Sequence, residues 1–327
     1  MNKINKNPRV AINWNAPEHK FYDDLYRKQA ENFWLPEELP IPDDIPVWRQ
    51  LDENTKDAYK KILAGLTLLD TEQTAGITKV ADVTKNLFIQ SILTLIGGIE
   101  TIHARSYSTI FQTLCTTDEI NELFDWVENT NELQAKVKNI IQYYEKAESN
   151  DQDSLFMSMV GSLCLEGICF YSGFYLPLWL AGQGKMVNSG EIINLILRDE
   201  KLHTVGMGFF AKDIYKDLSK NKQKELKNKA YDLIRQVYEA ELEYSKEIYK
   251  NLDCIEDVKI YLQFNTNYAL GCLGFEPMFD VTEKDVNPIV MNGYSTETKT
   301  HDFFSTKGNG YIKTTKVEEL KDEDFKF

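Results

Sequence analysis

Residues 99–111 read IETIHARSYSTIF and residues 192–203 read IINLILRDEKLH. Each stretch holds a glutamate followed three positions later by a histidine: Glu100 and His103 in the first, Glu200 and His203 in the second. Residues three apart on a helix share a face, so each pair presents a carboxylate and an imidazole to one point. The chain has four histidines, His19, His103, His203 and His301, and two of them fall in this pattern within apolar helical stretches. One match is weak, because acidic residues number 51 of 327 and a solvated Glu–His pair is common. Two matches point to the two halves of one metal site.

Two further carboxylates fit with them. Asp70 ends the run from Leu63 and lies seven residues after it and four after Leu66, on the apolar face of a helix. Glu166 is the only charged residue between Phe156 and Gly184. That stretch is long enough to cross a membrane. Ser158, Ser162, Ser172 and flanking glycines dilute it, however, and a helix apolar on every side is also the centre of a soluble bundle, which is the reading adopted here. A lone buried carboxylate costs several kcal/mol unless paired or neutralised. Four carboxylates balance two divalent cations. One carboxylate from each of two helices plus Glu-x-x-His from each of two others is the di-metal arrangement of ferritin-like bundles. Oxygen and imidazole donors suit iron or manganese. Tyr107, four residues after His103, projects from the same face, either as a packed core aromatic or as a redox partner of the metals.

The rest of the chain reads as helix. Helices are predicted from near Asn54 or Thr55 to about Val80 and from about Thr84 to Leu114. A third, capped by a Thr116/Glu119 box, continues as two pieces to about Ala147. A fourth runs from about Asp153 to Ala181, and a fifth, capped by Ser189, reaches past Phe210. Charged helices follow at about 220–251 and 255–272, and the polar residues 306–327 read as a flexible tail. The formal charge of −14 argues against nucleic acid or anionic lipid as partners. MNKINKNPRV has no apolar core of a secretory signal, and five cysteines without a CxxC pair read as reduced thiols of a cytoplasmic protein.

Six segments, in order and nearly end to end, resemble one family: ENFWLPEELP (31–40), GLTLLDTEQ (65–73), IETIHARSYSTIF, LEGICFYSGFYLP (165–177), IINLILRDEKLH and NGYSTETKTHDFF (292–304) with the acidic tail behind it. The chain resembles the small (beta) subunit of class Ib ribonucleotide reductase. The resemblance implies an all-α, ferritin-like bundle with additional helices, spanning 1–290, and a C-terminal tail, 291–327, that docks on the large subunit. It implies Asp70, Glu100 and His103 as ligands of one metal ion and Glu166, Glu200 and His203 as ligands of the other, with carboxylates bridging. Tyr107 corresponds to the tyrosine oxidised to a stable radical. Trp34 corresponds to the tryptophan that relays an electron, Asp199 to the acid linking it to His103, and Tyr311 to the tail tyrosine that continues the relay. The implied cofactor is dinuclear manganese, activated through a flavodoxin-like protein, or dinuclear iron. The implied assembly is a homodimer working with the large (alpha) subunit to reduce ribonucleoside diphosphates.

Two other functions use the same six ligands: a di-metal oxidase or hydroxylase acting on its own bound substrate, and a ferritin-like metal store. Neither accounts for Trp34, Asp199, Tyr107 and a tyrosine-bearing acidic tail together.

Overall fold

The computed structural model describes residues 10–294, and these contain helices and no strand. Helix α1 spans Lys20–Glu31, and a proline-punctuated segment leads through a four-residue helix α2, Ile45–Trp48, to α3, Glu53–Val83. Asp52 caps α3 by accepting from the Thr55 amide, so the helix opens at Glu53, one to two residues before the predicted start. Residues 84–86 turn the chain into α4, Leu87–Leu114, capped by Asn86, whose side chain accepts from the amides of Phe88 and Ile89. Helices α3 and α4 pack closely. Gly97 permits this, since a Cβ there would stand 3.0 Å from Thr78 Oγ1. The predicted box forms: Thr116 and Glu119 bond reciprocally at the start of α5, Thr117–Asn129, and α6 follows at Asn131–Glu145.

Two predictions on the central helices need correction. The uncharged stretch is one helical run, Gln152–Gly182, but it is not α-helical throughout. It divides into α7, Gln152–Cys164, a π-helical turn at Leu165–Cys169, and α8, Tyr171–Gly182. A π turn takes in an extra residue, so it redirects the side chains it carries, and such turns recur at functional sites. Glu166 lies on it. The turn presses against neighbouring helices at Gly167, where a Cβ would lie 3.0 Å from Thr204 Cγ2 and 3.2 Å from Ala269 Cβ. On its far side Lys136 Nζ donates to the Cys169 carbonyl at 3.4 Å while forming a buried ion pair of 2.7 Å with Glu241.

The second correction concerns Ser189, which does not cap the fifth helix. That helix, α9, runs Val187–Lys216 and is preceded by Met186 in the left-handed region (φ 50°). Its first orphan amides are capped from far away in sequence. Asp44 accepts from Ser189 N and Oγ at 2.7 and 2.6 Å and from Asn188 N and Nδ2 at 3.1 and 3.0 Å.

Helix α10, Lys220–Ile248, and α11, Ile255–Leu273, pack on each other, and α12, Pro288–Tyr294, lies against α8. Helix α7 packs on α9 and α1 bridges α4 and α9, so α3, α4, α7 with its π turn, and α9 enclose the core. The π turn and α8 are buried almost throughout, as a bundle centre requires. All five cysteines are free, and His19 lies 3.4 Å from Asp213. Tyr311, His301 and the predicted tail 306–327 lie outside the described residues.

Candidate metal centre

Helix α3 contributes Asp70, α4 contributes Glu100 and His103, the π turn Glu166, and α9 Glu200 and His203; all six side chains are wholly buried. They form two overlapping groups. One ligand atom each from Asp70, Glu100, His103 and Glu200 lie within 4.8 Å of one another, and so do those of Glu100, Glu166, Glu200 and His203. Glu100 and Glu200 belong to both groups, between Asp70 and His103 on one side and Glu166 and His203 on the other. His103 Nδ1 stands 3.1 Å from Glu100 Oε2 and 2.9 Å from Glu200 Oε1. His203 Nδ1 stands 3.0 Å from Glu200 Oε2, 2.9 Å from Glu100 Oε1 and 3.4 Å from Glu166 Oε2.

Cations fit this donor set. Both oxygens of Asp70 and one each of Glu100, Glu166 and Glu200 have no hydrogen-bond donor although buried, an arrangement that is expensive without a compensating charge. The histidine Nε2 atoms face acceptors on the outside, Asp199 Oδ2 at 3.3 Å and Gln29 Oε1 at 3.0 Å. A neutral imidazole carries one N–H, so a proton on each Nε2 leaves each Nδ1 lone pair aimed at the carboxylates. Lone pairs and carboxylates converging on one place repel unless positive charge lies between them. Without metal, protons must supply that charge. Burial, reinforced by Glu100, holds the Asp70 and Glu166 carboxyls well above the usual carboxylate range. Burial works against protonation of His103 and His203, but neighbouring carboxylates raise both well above the ordinary imidazole value. Glu200 goes the other way: burial opposes its ionisation, and hydrogen bonding from Glu166 together with the histidines overcomes that and lowers it.

The other predicted residues among those described, Trp34, Asp199 and Tyr107, lie around this cluster. Trp34, almost buried, donates from Nε1 to Asp199 Oδ2 at 2.9 Å, the same oxygen that faces His103. The Trp34 ring lies 6.1 Å from the His103 ring, inclined by 24°. Tyr107 is wholly buried and its hydroxyl has no well-formed hydrogen bond. Burial pushes its phenol well up, and Asp70 is the largest of the electrostatic contributors, ahead of Glu200 and Glu100. Gln29 was missed in the sequence. A signal existed: it follows Tyr22 and Leu25 on the buried face of α1, an amide at a core position.

A profile of the family described as "Ribonucleotide reductase, small chain" matches residues 11–288. The chain belongs to that family. The ribonucleoside-diphosphate reductase subunit beta of Bacillus subtilis (strain 168) is 48% identical over 319 residues, covering 97% of this chain and 96% of that one. The subunit beta of reductase 2 from Escherichia coli (strain K12) is 36% identical, covering 97% and 98%. Among solved structures, the dimanganese(II)-NrdF of Streptococcus sanguinis superposes with a TM-score of 0.84 at 37% identity, covering 88% of this chain and all of that one. The chain is thus a ferritin-like small subunit of the class Ib type. Small subunits of this family carry a di-metal centre and a tyrosyl radical, form homodimers, and pass the radical to a large subunit that reduces ribonucleoside diphosphates to deoxyribonucleoside diphosphates.

Proposed function

We propose that Asp70, Glu100, His103, Glu166, Glu200 and His203 hold the dinuclear centre of this small subunit and that Tyr107 carries its radical. The observation behind this reading is the pair of overlapping four-ligand groups, with Tyr107 buried beside Asp70. When bound, the metal pair and an oxidant supply the one-electron oxidation of the phenol. The chain's own side chains do the rest. A phenol that loses an electron becomes strongly acidic, so its proton needs a nearby acceptor, and Asp70 is the carboxylate that acts on the Tyr107 hydroxyl most strongly. Full burial keeps water and reductants away from the ring. Asp199 fixes the orientation of the His103 ring and, through the same oxygen, ties it to Trp34. That contact is the route by which the hole leaves the centre, with Tyr311 carrying it on into the large subunit.

The division into a di-metal domain, 1–290, and a docking tail, 291–327, belongs to the same proposal, as does a cytoplasmic location. The donor set accepts manganese or iron. Similarity to a streptococcal protein described as dimanganese(II) favours manganese, and with it a flavodoxin-like activating partner. The test is electron paramagnetic resonance of the metal-loaded chain after oxidation, by air for iron or with the flavodoxin-like partner for manganese. A tyrosyl signal is expected. Oxidised metal without an organic radical in both preparations returns the chain to the oxidase reading. Deleting residues 306–327 is expected to leave the radical in place and abolish turnover with the large subunit; surviving turnover removes Tyr311 from the relay.

A further inference from the structure

A hydrogen-bonded chain reaches the centre from the side away from Trp34. Gln73, three residues beyond Asp70 on α3, is wholly buried. Its Nε2 donates to Ser162 Oγ at 2.8 Å and to Glu166 Oε1, and its Oε1 accepts from the Tyr144 hydroxyl. Tyr144 comes from α6 and is almost fully buried. Its ring occupies the space above Gly76, where a Cβ would stand 2.0 Å from Tyr144 Cδ2. Ser162 lies on α7, four residues before Glu166. Four elements thus meet on one amide.

The direction of that amide is fixed by its neighbours. Reversing it would turn its oxygen against a carboxylate and take away the acceptor of the phenol proton. Burial makes each mismatch costly. Glu166 therefore has unlike oxygens: Oε1 is engaged by Gln73, while Oε2 has no hydrogen-bond donor and stands 3.4 Å from His203 Nδ1. Of the four carboxylates of the centre, Glu166 alone takes a hydrogen bond from an amide among the described residues.

We propose that Gln73 is a positioning residue which pins Glu166 Oε1, so that Oε2 is the oxygen Glu166 presents to metal, and that Tyr144 acts through it by fixing the direction of the amide. This rests on reading Glu166 as a ligand. The donor is neutral, so it holds the carboxylate without cancelling its charge. It also ties the π turn to α3, the helix that supplies Asp70, and so links the two outer ligands of the centre.

The test is a titration of the full-length apo chain with Mn(II), following free manganese by electron paramagnetic resonance, beside the melting temperature of each apo variant. Gln73→Leu keeps the volume and loses both donors. It is expected to weaken one manganese equivalent by about 10–100-fold and to leave the other within about threefold. Tyr144→Phe keeps the ring over Gly76 and loses the phenol. It is expected to weaken the same equivalent by several-fold, and it keeps the proposal testable if Gln73→Leu fails to fold. Glu166→Ala is the control and is expected to lose that equivalent. If Glu166→Ala binds two equivalents normally, the ligand reading has failed. If Glu166→Ala loses one while Tyr144→Phe and Gln73→Leu titrate as the parent does, the positioning role of Gln73 is overturned. Equal weakening of both equivalents with a lowered apo melting temperature also overturns it, because that is what a merely structural residue would give.

Discussion

Helices α4 and α9 carry the same Glu-x-x-His pattern, yet what stands behind each histidine differs. His103 is backed by a carboxylate, Asp199, which also holds the Trp34 indole. His203 is backed by a neutral amide, Gln29. Seven residues beyond each glutamate the helices diverge again, to Tyr107 on α4 and Met207 on α9, both wholly buried. An imidazole hydrogen-bonded to a carboxylate is a more basic ligand than one bonded to an amide, and its partner determines what it connects to. The shared motif brings the donor atoms together. The residues around it make the centre asymmetric, with Tyr107 and the Asp199–Trp34 pair on the α4 side and Met207 and Gln29 on the α9 side.

The largest expected effect follows from the divergence at the seventh position. Tyr107→Phe should abolish the tyrosyl signal while metal content stays at the parent level, and Met207→Leu should leave both unchanged. A radical surviving in Tyr107→Phe, measured by paramagnetic resonance, would place it on another tyrosine and end the asymmetry at this level. Next comes Asp199→Asn, which keeps the shape and removes the charge behind His103. The radical should still form, and turnover with the large subunit should fall about 100-fold, the upper range for loss of an outer partner. Gln29→Leu is the mirror experiment. It should lower metal affinity about tenfold and leave turnover per radical unchanged, since nothing beyond Gln29 belongs to the relay. If Asp199→Asn and Gln29→Leu behave alike, the two halves are equivalent despite their different backing.

The smallest effect is on pH dependence, where the two halves should agree. His103 and His203 have folded values well above 6.5, so their contribution to apo stability is complete below about that pH and fades as pH rises through the folded values. The raised carboxyls of Asp70 and Glu166 act in the same direction, because the folded apo chain holds protons there that the unfolded chain has released; Glu200 opposes them. Metal replaces those protons. The rise in melting temperature on saturation with Mn(II) should therefore be greater at pH 8 than at pH 6, by about a few degrees. An equal rise at both values would mean that the protons sit elsewhere.

The six clustered side chains were legible in the sequence because charged residues on apolar helical faces are conspicuous. Asp70 stood out against Leu63 and Leu66, and Glu166 against a run with no other charge. Tyr107 was readable by its spacing from His103. What surrounds them was harder to see. The π turn has no compositional mark within 156–184, since a change from four-residue to five-residue hydrogen bonding leaves the apolar pattern intact. Ser189 imitated a helix cap because local sequence cannot show that Asp44 takes that role from another part of the chain. Gln29 and Gln73 are neutral amides, whose importance comes from the groups they touch. Gln73 did have the right spacing, three residues beyond Asp70 on the same helix, but glutamine alone carries no ligand signal.

The capping of α9 by Asp44 has a consequence for motion. Asp44 follows α1 and Trp34 in one N-terminal stretch, so the amides of Asn188 and Ser189 are protected only while that stretch is seated. Arg198 of α9 holds the same stretch by donating to the Asn32 carbonyl at 2.6 Å. If residues 20–48 lift as a unit, the start of α9 frays, Gln29 leaves His203 and Trp34 leaves Asp199 in a single event. Deuterium uptake at Ser189 would then report, from more than one hundred residues away in sequence, how often the Trp34–Asp199 contact is broken.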